Sequence, residues 1–139
     1  AMAVATEHGL YYPVIRNCER LSLRQISEEA GILADRANRG QLQQEEMEGG
    51  TFTISNMGML GVESFAALVT PPQAAVLAVG TVKGEVVVDD QGEPAVAPIM
   101  RITMAADHRI LDGADAADFL DTLKSYLEAP ITLIGDCRC

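Results

Sequence analysis

Six consecutive apolar residues, Ala74-Ala75-Val76-Leu77-Ala78-Val79, constrain this chain more than any other segment. The run falls far short of the roughly 20 residues a membrane-spanning helix needs, as does every other apolar stretch in the sequence. It reads as a buried strand, and a strand apolar on both faces has to be covered on both. The rest of the chain must therefore supply a sheet and something to lay on it. The material is there: 139 residues, 48% of them apolar, are enough for a real core and exclude a disordered chain. A formal charge of −10 excludes the basic face that nucleic-acid binding requires. Residues 1–40 hold five bases and five acids, whereas residues 41–139 hold five bases and fifteen acids. The whole net charge thus falls on the second part, where it reads as a solvated acidic surface.

Around the buried run the pattern alternates between strand and helix. Residues 2–6 read as a short strand, Glu7-His8-Gly9 as a turn, and Leu10 to Ile15 as a second strand weakened by Pro13. Leu23, Ile26, Ala30, Leu33 and Ala37 then recur at helical spacing, with charged residues expected in solvent. Ser22 and Gln25 form a capping box, and Gly40 stands where a helix-ending glycine belongs. Gln41 to Glu48 is polar, with room for one helical turn, and Gly49-Gly50 breaks it. Thr51 to Ser55 alternates, Phe52 and Ile54 on one face and Thr51, Thr53 and Ser55 on the other. Met57 to Gly61 is a glycine-punctuated turn, and Phe65 to Val69 another apolar run ended by Pro71-Pro72. Glu85–Asp89 and Pro94–Ala97 flank a hairpin turn at Asp90-Gln91-Gly92-Glu93. Met100, Ile102 and Met104 mark a further strand. Asp112-Gly113 opens a last helix with Ala116, Ala117, Leu120, Leu123 and Leu127 on its apolar side, and Pro130 ends it. Strands outnumber helices, so the class is α+β, a mixed or antiparallel sheet carrying two helices.

Cys18, Cys137 and Cys139 are odd in number and scattered, which argues against a secreted disulfide framework and for a reducing compartment. The Cys137-Arg138-Cys139 tail lacks zinc-ligand spacing and reads as incidental thiols. No basic-then-apolar leader precedes the fold, and Ala1 to Ala5 reads as a strand already under way.

Two places carry candidate chemistry. His108 ends an alternating strand in Asp107-His108-Arg109-Ile110-Leu111-Asp112-Gly113, a strand-to-helix loop of the kind that presents functional groups. An imidazole there can act as a general base, and Asp112 could orient it or brace the loop through a basic partner; alone, the pattern suits a structural histidine before a helix cap. Ser55-Asn56 closes a strand beside a glycine turn, where a hydroxyl can donate to a developing oxyanion or simply form the turn. No nucleophile elbow of the Gly-x-Ser-x-Gly type and no phosphate-binding Gly-x-x-x-x-Gly-Lys-Ser/Thr loop is present.

Taken in order, three segments resemble one family: Gly49-Gly50-Thr51-Phe52-Thr53-Ile54-Ser55-Asn56-Met57-Gly58, Pro71-Pro72-Gln73-Ala74-Ala75-Val76-Leu77-Ala78-Val79-Gly80, and Asp107-His108-Arg109 with Asp112-Gly113. The chain resembles the catalytic domain of dihydrolipoamide acyltransferases, the core component of 2-oxo acid dehydrogenase complexes, from residue 1 to about Pro130. Met57 to Val62 looks most like the pyruvate, acetyl-transferring branch. The resemblance implies a chloramphenicol-acetyltransferase-like mixed sheet with flanking helices. It implies transfer of an acyl group between a dihydrolipoyl arm and coenzyme A, with no metal. His108 takes the family's general-base role, Ser55 the oxyanion-stabilising role and Asp112 the support of the loop, while Asn56 and Arg109 are carried over as cofactor-binding. Implied partners are two further copies in a trimer, a hollow cubic or dodecahedral core of trimers, and the dehydrogenase and dihydrolipoamide dehydrogenase components, with no nucleic acid and no membrane. The implied compartment is bacterial cytoplasm or mitochondrial matrix.

The family's catalytic domain starts well before the residue matched by Ala1. The expectation is that residues 1–130 form the C-terminal part of one such domain, with residues 131–139 as a tail. An arginine partner for Asp112, part of the coenzyme A channel and the lipoyl domain lie outside it. Two other readings stand beside the acyltransferase: a non-catalytic assembly module of the same core, and a detoxifying chloramphenicol-type acetyltransferase. The retained His108 speaks against the first, and the Ser-Asn-Met-Gly and Pro-Pro-Gln-Ala segments against the second.

Overall fold

The computed structural model describes residues 1–131, so the Cys137-Arg138-Cys139 tail lies outside the described residues. In chain order the elements are β1 (Val4–Thr6), β2 (Gly9–Tyr11), α1 (Leu23–Asn38), β3 (Thr53–Asn56), β4 (Ala75–Val88), β5 (Pro94–Ala106) and α2 (Gly113–Glu128). Single 3-10 turns lie at Cys18–Arg20, Gln44–Met47 and Gly58–Leu60. The chain forms two compact units, Ala1–Ala105 and a second from Ala106 onward.

In the first unit the continuous apolar run becomes the start of β4, and it is the centre of the core. Ala75, Val76, Leu77 and Ala78 are buried together with Pro13, Val14, Leu33 and Ala37. β3, β4 and β5 form one mixed sheet in that order. β3 runs parallel to β4, from Thr53 opposite Val76 to Asn56 opposite Val79. The other edge of β3 is met by the first residues of the chain. Met2 bridges Ile54 in parallel, the Ala3 N–H donates to the Ile54 carbonyl at 2.9 Å, and the Ile54 N–H donates to the Ala1 carbonyl at 2.9 Å. β1 and β2 form a small antiparallel hairpin over Glu7-His8, as the turn residues suggested.

The hairpin turn between β4 and β5 is where the sequence put it. The Asp89 carboxylate accepts the N–H groups of Gln91 and Glu93, both at 2.9 Å, and Gly92 supplies the positive φ of 86° that the turn needs. The apolar stretches read from sequence as separate short strands are pieces of two long ones. Polar residues and glycines such as Thr81, Lys83 and Gly84 interrupt the apolar pattern without interrupting the strand, because this part is solvent-exposed and needs no apolar face. Phe65 to Val69, expected as a further apolar segment, forms no regular element.

α1 follows its periodicity. Ser22 Oγ accepts the Gln25 N–H at 3.3 Å and Gln25 Oε1 accepts the Ser22 N–H at 2.9 Å, completing the capping box. Gly40 follows with φ of 65°, its N–H bonded to the Ala37 carbonyl. Leu33 and Ala37 are the buried turn of its apolar face. One expectation needs correcting: not all its charges point to water. Arg36 is only 36% exposed and its guanidinium meets the Glu46 carboxylate at 2.5 Å. This pair fastens α1 to the 3-10 turn at Gln44–Met47, which is the polar helical turn anticipated between Gln41 and Glu48.

In the second unit α2 begins at a full cap, with Asp112 Oδ1 accepting the N–H groups of Ala114 (2.8 Å) and Asp115 (3.0 Å). The Asp115 carboxylate returns the bond to the Asp112 N–H at 3.1 Å. Ala116, Leu120 and Leu123 form the more sheltered stripe of this helix, and no α2 residue is fully buried.

Candidate functional site

The first unit carries one candidate, the C-terminal end of β3. Strand alternation places Ser55 and Thr53 on the same face, and that face is the inner one: Thr53 is 4% exposed while Ile54 is 47% exposed. The alternation was legible, but the apolar residues are on the open side. Ile54, with Met2, Ile15, Ile26 and Phe52, lines a cleft of about 640 Å³. The buried Thr53 hydroxyl is satisfied by donating to Gln73 Oε1, which ties β3 to the Pro-Pro-Gln segment.

Ser55 itself sits half-buried in register with Ala78. Its backbone belongs to the ladder, and among the described residues its hydroxyl has no hydrogen-bond partner, which leaves the donor available. Asn56 differs: its Oδ1 accepts the Gly58 N–H at 2.9 Å, closing a tight turn directly after the serine. The next residues fold back onto β4. The Met57 N–H donates to the Val79 carbonyl at 3.1 Å, and the Thr81 N–H donates to the Val62 carbonyl at 2.8 Å. Reading the sequence placed Gly58 in a glycine-punctuated turn and Gly80 in a motif, but gave no role to Gly80, Glu63 or Lys83, which secure this loop to β4. The close spacing of small residues on both segments was the only available signal.

The second unit carries the other candidate, the turn from Asp107 to Asp112. The Ile110 and Leu111 N–H groups both donate to the Asp107 carbonyl, at 2.9 and 3.0 Å, so the turn is compact. Arg109 folds back on Asp107: its Nε donates to both carboxylate oxygens (2.9 and 3.2 Å), its second guanidinium nitrogen to Oδ2 (2.6 Å) and its backbone N–H to Oδ1 (3.0 Å). This fork, chiefly through its side-chain bonds, holds the Asp107 pKa down at about 2 and raises that of Arg109. The Asp107 carboxylate is 16% exposed and the Arg109 guanidinium 81%.

His108 lies between the two with its imidazole exposed to solvent. No hydrogen bond joins it to Asp112 among the described residues. Asp112 instead caps α2 through Oδ1, so its visible work is to hold the helix end onto which the turn is built. Asp112 thus braces the loop through backbone groups, and the side-chain partner anticipated for it is not among the described residues. Arg109 is engaged with Asp107. No cluster of three or more His, Cys, Asp or Glu residues suited to a metal occurs among the described residues. None of their helices is long and apolar enough to cross a membrane.

The mixed sheet thus presents Ser55 near the end of β3, and the strand-to-helix turn capped by Asp112 presents His108. This chain belongs to the 2-oxoacid dehydrogenase acyltransferase (catalytic domain) family, whose model matches residues 1–135. It is similar to the mitochondrial dihydrolipoyllysine-residue acetyltransferase component of the pyruvate dehydrogenase complex of Schizosaccharomyces pombe, 50% identical over 136 residues that cover 96% of this chain and 28% of that protein. It superposes on the Azotobacter vinelandii dihydrolipoamide acetyltransferase with a TM-score of 0.86 and 36% identity, covering 91% of this chain and 51% of that one. That structure concerns the role of a serine, a histidine and an asparagine in catalysis. The atomic structure of the cubic core of the pyruvate dehydrogenase multienzyme complex matches equally, again at 0.86 and 36%, with 91% and 51% covered. The expected α+β, chloramphenicol-acetyltransferase-like class is therefore the one found. The chain spans about a quarter of the length of its curated relative and about half of the solved domains.

Proposed function

We propose that residues 1–130 are the C-terminal part of an acyltransferase domain that moves an acetyl group between dihydrolipoyl-lysine and coenzyme A. One observation carries the reading. The Azotobacter relative is described through a serine, a histidine and, four positions after the histidine, an asparagine. This chain offers Ser55, His108 and, four positions on, Asp112, each at an element end that leaves it accessible.

The chemistry follows from the groups. A thiol of pKa about 8.5 is mostly protonated at neutral pH, and only the thiolate attacks. His108 removes the thiol proton as the sulfur bonds to the thioester carbonyl carbon. The carbonyl electron pair moves to oxygen, where the Ser55 hydroxyl donates to it, an interaction worth about 3 kcal/mol in comparable sites. Collapse restores the carbonyl, breaks the other carbon–sulfur bond and returns the proton from the imidazolium to the departing thiolate. Asp112 keeps the His108 turn on its helix. Asn56 and Arg109 border the co-substrates through the turns they stabilise. No covalent enzyme intermediate is needed, since the attacking thiol and the thioester meet in one site.

The same reading makes the chain one protomer of a trimer within a larger cubic or dodecahedral core, Ser55 and His108 meeting between subunits. Dehydrogenase and dihydrolipoamide dehydrogenase components bind that core, in mitochondrial matrix or bacterial cytoplasm. The test uses a complete catalytic domain: His108→Ala is expected to lower the transfer rate by two or more orders of magnitude while size-exclusion chromatography shows the assembly unchanged. A rate within a few-fold of the parent overturns the assignment. The coverage of only half a domain favours a second reading for the chain by itself, assembly without turnover. Single-turnover mixing of residues 1–139 with acetyl-coenzyme A and free dihydrolipoamide separates the two.

A further inference from the structure

We infer that Gly80, together with the Glu63–Lys83 ion pair, is a positioning element for the Ser55 hydroxyl; this rests on the oxyanion role proposed for Ser55. The loop that follows Ser55 is tied to β4 on both sides of Gly80, by Met57 to Val79 and by Val62 to Thr81. It is also closed on itself, the Gly61 N–H bonding the Gly58 carbonyl and the Val62 N–H the Met57 carbonyl. Between the two ties, backbone lies directly on backbone. A Cβ at Gly80 would stand 2.0 Å from the Glu63 carbonyl oxygen and 2.8 Å from its carbon, and a Cβ at Gly58 would stand 2.8 Å from the Gly80 oxygen. Neither site admits a side chain unless the loop lifts. Glu63 is held a second time, because its carboxylate pairs with Lys83, three residues along the same strand. Lys83 in turn acts on Glu85, which Arg101 of β5 binds through two bonds of 2.6 and 2.7 Å.

The direction of yielding is what links this crossing to catalysis. With Val62 displaced, the loop's other anchor is Met57, two residues from Ser55. A hydroxyl stabilising an oxyanion acts only within about 2.7–3.1 Å of it. A shift near 1 Å costs on the order of a hundredfold in rate. Gly80 therefore fixes where the serine points, and it touches no substrate itself.

The experiment is a double-mutant cycle in a complete catalytic domain, with Gly84→Ala as the control on the same strand, where an added Cβ finds only an ordinary contact of 3.5 Å with Val96. Gly80→Ala is expected to lower kcat about 10- to 100-fold with the KM for acetyl-coenzyme A changed less than about twofold, because the lost interaction belongs to the transition state. In a Ser55→Ala background the same change is expected to cost less than about twofold. Full, multiplicative losses in both backgrounds, or a Gly80→Ala enzyme as fast as Gly84→Ala, overturn the inference while leaving the role of Ser55 standing. An unimpaired Ser55→Ala enzyme overturns both. Should Gly80→Ala fail to assemble, Glu63→Gln, which cuts the tether without filling space, goes through the same cycle and is judged by the same criterion.

Discussion

Asp107 and Arg109 bracket His108 in sequence and bind each other, so its two charged neighbours in the chain form a closed pair. The carboxylate is held at a pKa of about 2 by the guanidinium fork and the Arg109 N–H. A depressed folded-state value means the pair contributes stability above the ordinary carboxylate pKa of 3.8, and that this contribution is lost as pH falls from there towards 2. Near neutrality the pair is fully formed. The measurement is the carboxyl carbon shift of Asp107 followed by NMR: a midpoint near 2 in the parent, moving up towards 3.8 in Arg109→Met. An unmoved midpoint would show that the fork does not set it. This is also where the sequence was only half legible. His108 stands out from its place at a strand end, but an arginine two residues after an aspartate looks equally ready for an external anion. Only the turn geometry shows that it folds back. Thr53 is a second such residue. A threonine in an alternating strand gives no hint that it, and not Ile54, faces inward. Removing its hydroxyl in Thr53→Val leaves Gln73 Oε1 without its donor, and a loss of about 1 kcal/mol is expected in urea unfolding; no loss would mean Gln73 has another partner.

At the scale of elements, capping decides what was readable. The start and end of α1 follow from Ser22, Gln25 and Gly40, because capping chemistry is local and shows in neighbouring letters. α2 follows from Asp112 and Asp115 for the same reason. Strand extents did not, since pairing is set by residues far apart in sequence and the exposed ends of β4 and β5 carry no apolar signature. Asp112 caps α2, and the loop-supporting role proposed for it is separable from that cap. Asparagine caps about as well as aspartate, whereas alanine does not. Asp112→Asn is expected to keep stability within a few tenths of a kcal/mol, and Asp112→Ala to lose about 1 kcal/mol, by denaturant unfolding. If Asn also retains turnover, as the asparagine of the Azotobacter relative suggests, then Asp112 works by capping and its charge is dispensable. Equal instability of both variants would show that the charge, not the cap, holds the turn.

For the molecule as a whole the net charge acquires a site-level meaning. Among the described residues every base beyond residue 41 has a carboxylate within 4.0 Å: Lys83 has Glu63, Arg101 has Glu85, Arg109 has Asp107 and Lys124 has Glu128. Each of these cations faces a carboxylate of an acidic surface, which competes with phosphate for it. Under the proposed function, charge for the polyanionic nucleotide of coenzyme A is therefore expected from bases before residue 41 or from chain outside this sequence. Residues 1–139 alone are accordingly expected to bind acetyl-coenzyme A about a hundredfold more weakly than a complete catalytic domain, the equivalent of two lost charge-assisted hydrogen bonds. Isothermal titration of both proteins reads this directly. S-acetylpantetheine, which keeps the thioester and lacks the phosphates, is expected to bind the two with a much smaller difference. If the short chain binds acetyl-coenzyme A as tightly as the complete domain, the paired cations must open on binding, and their carboxylate partners do not withhold them from phosphate.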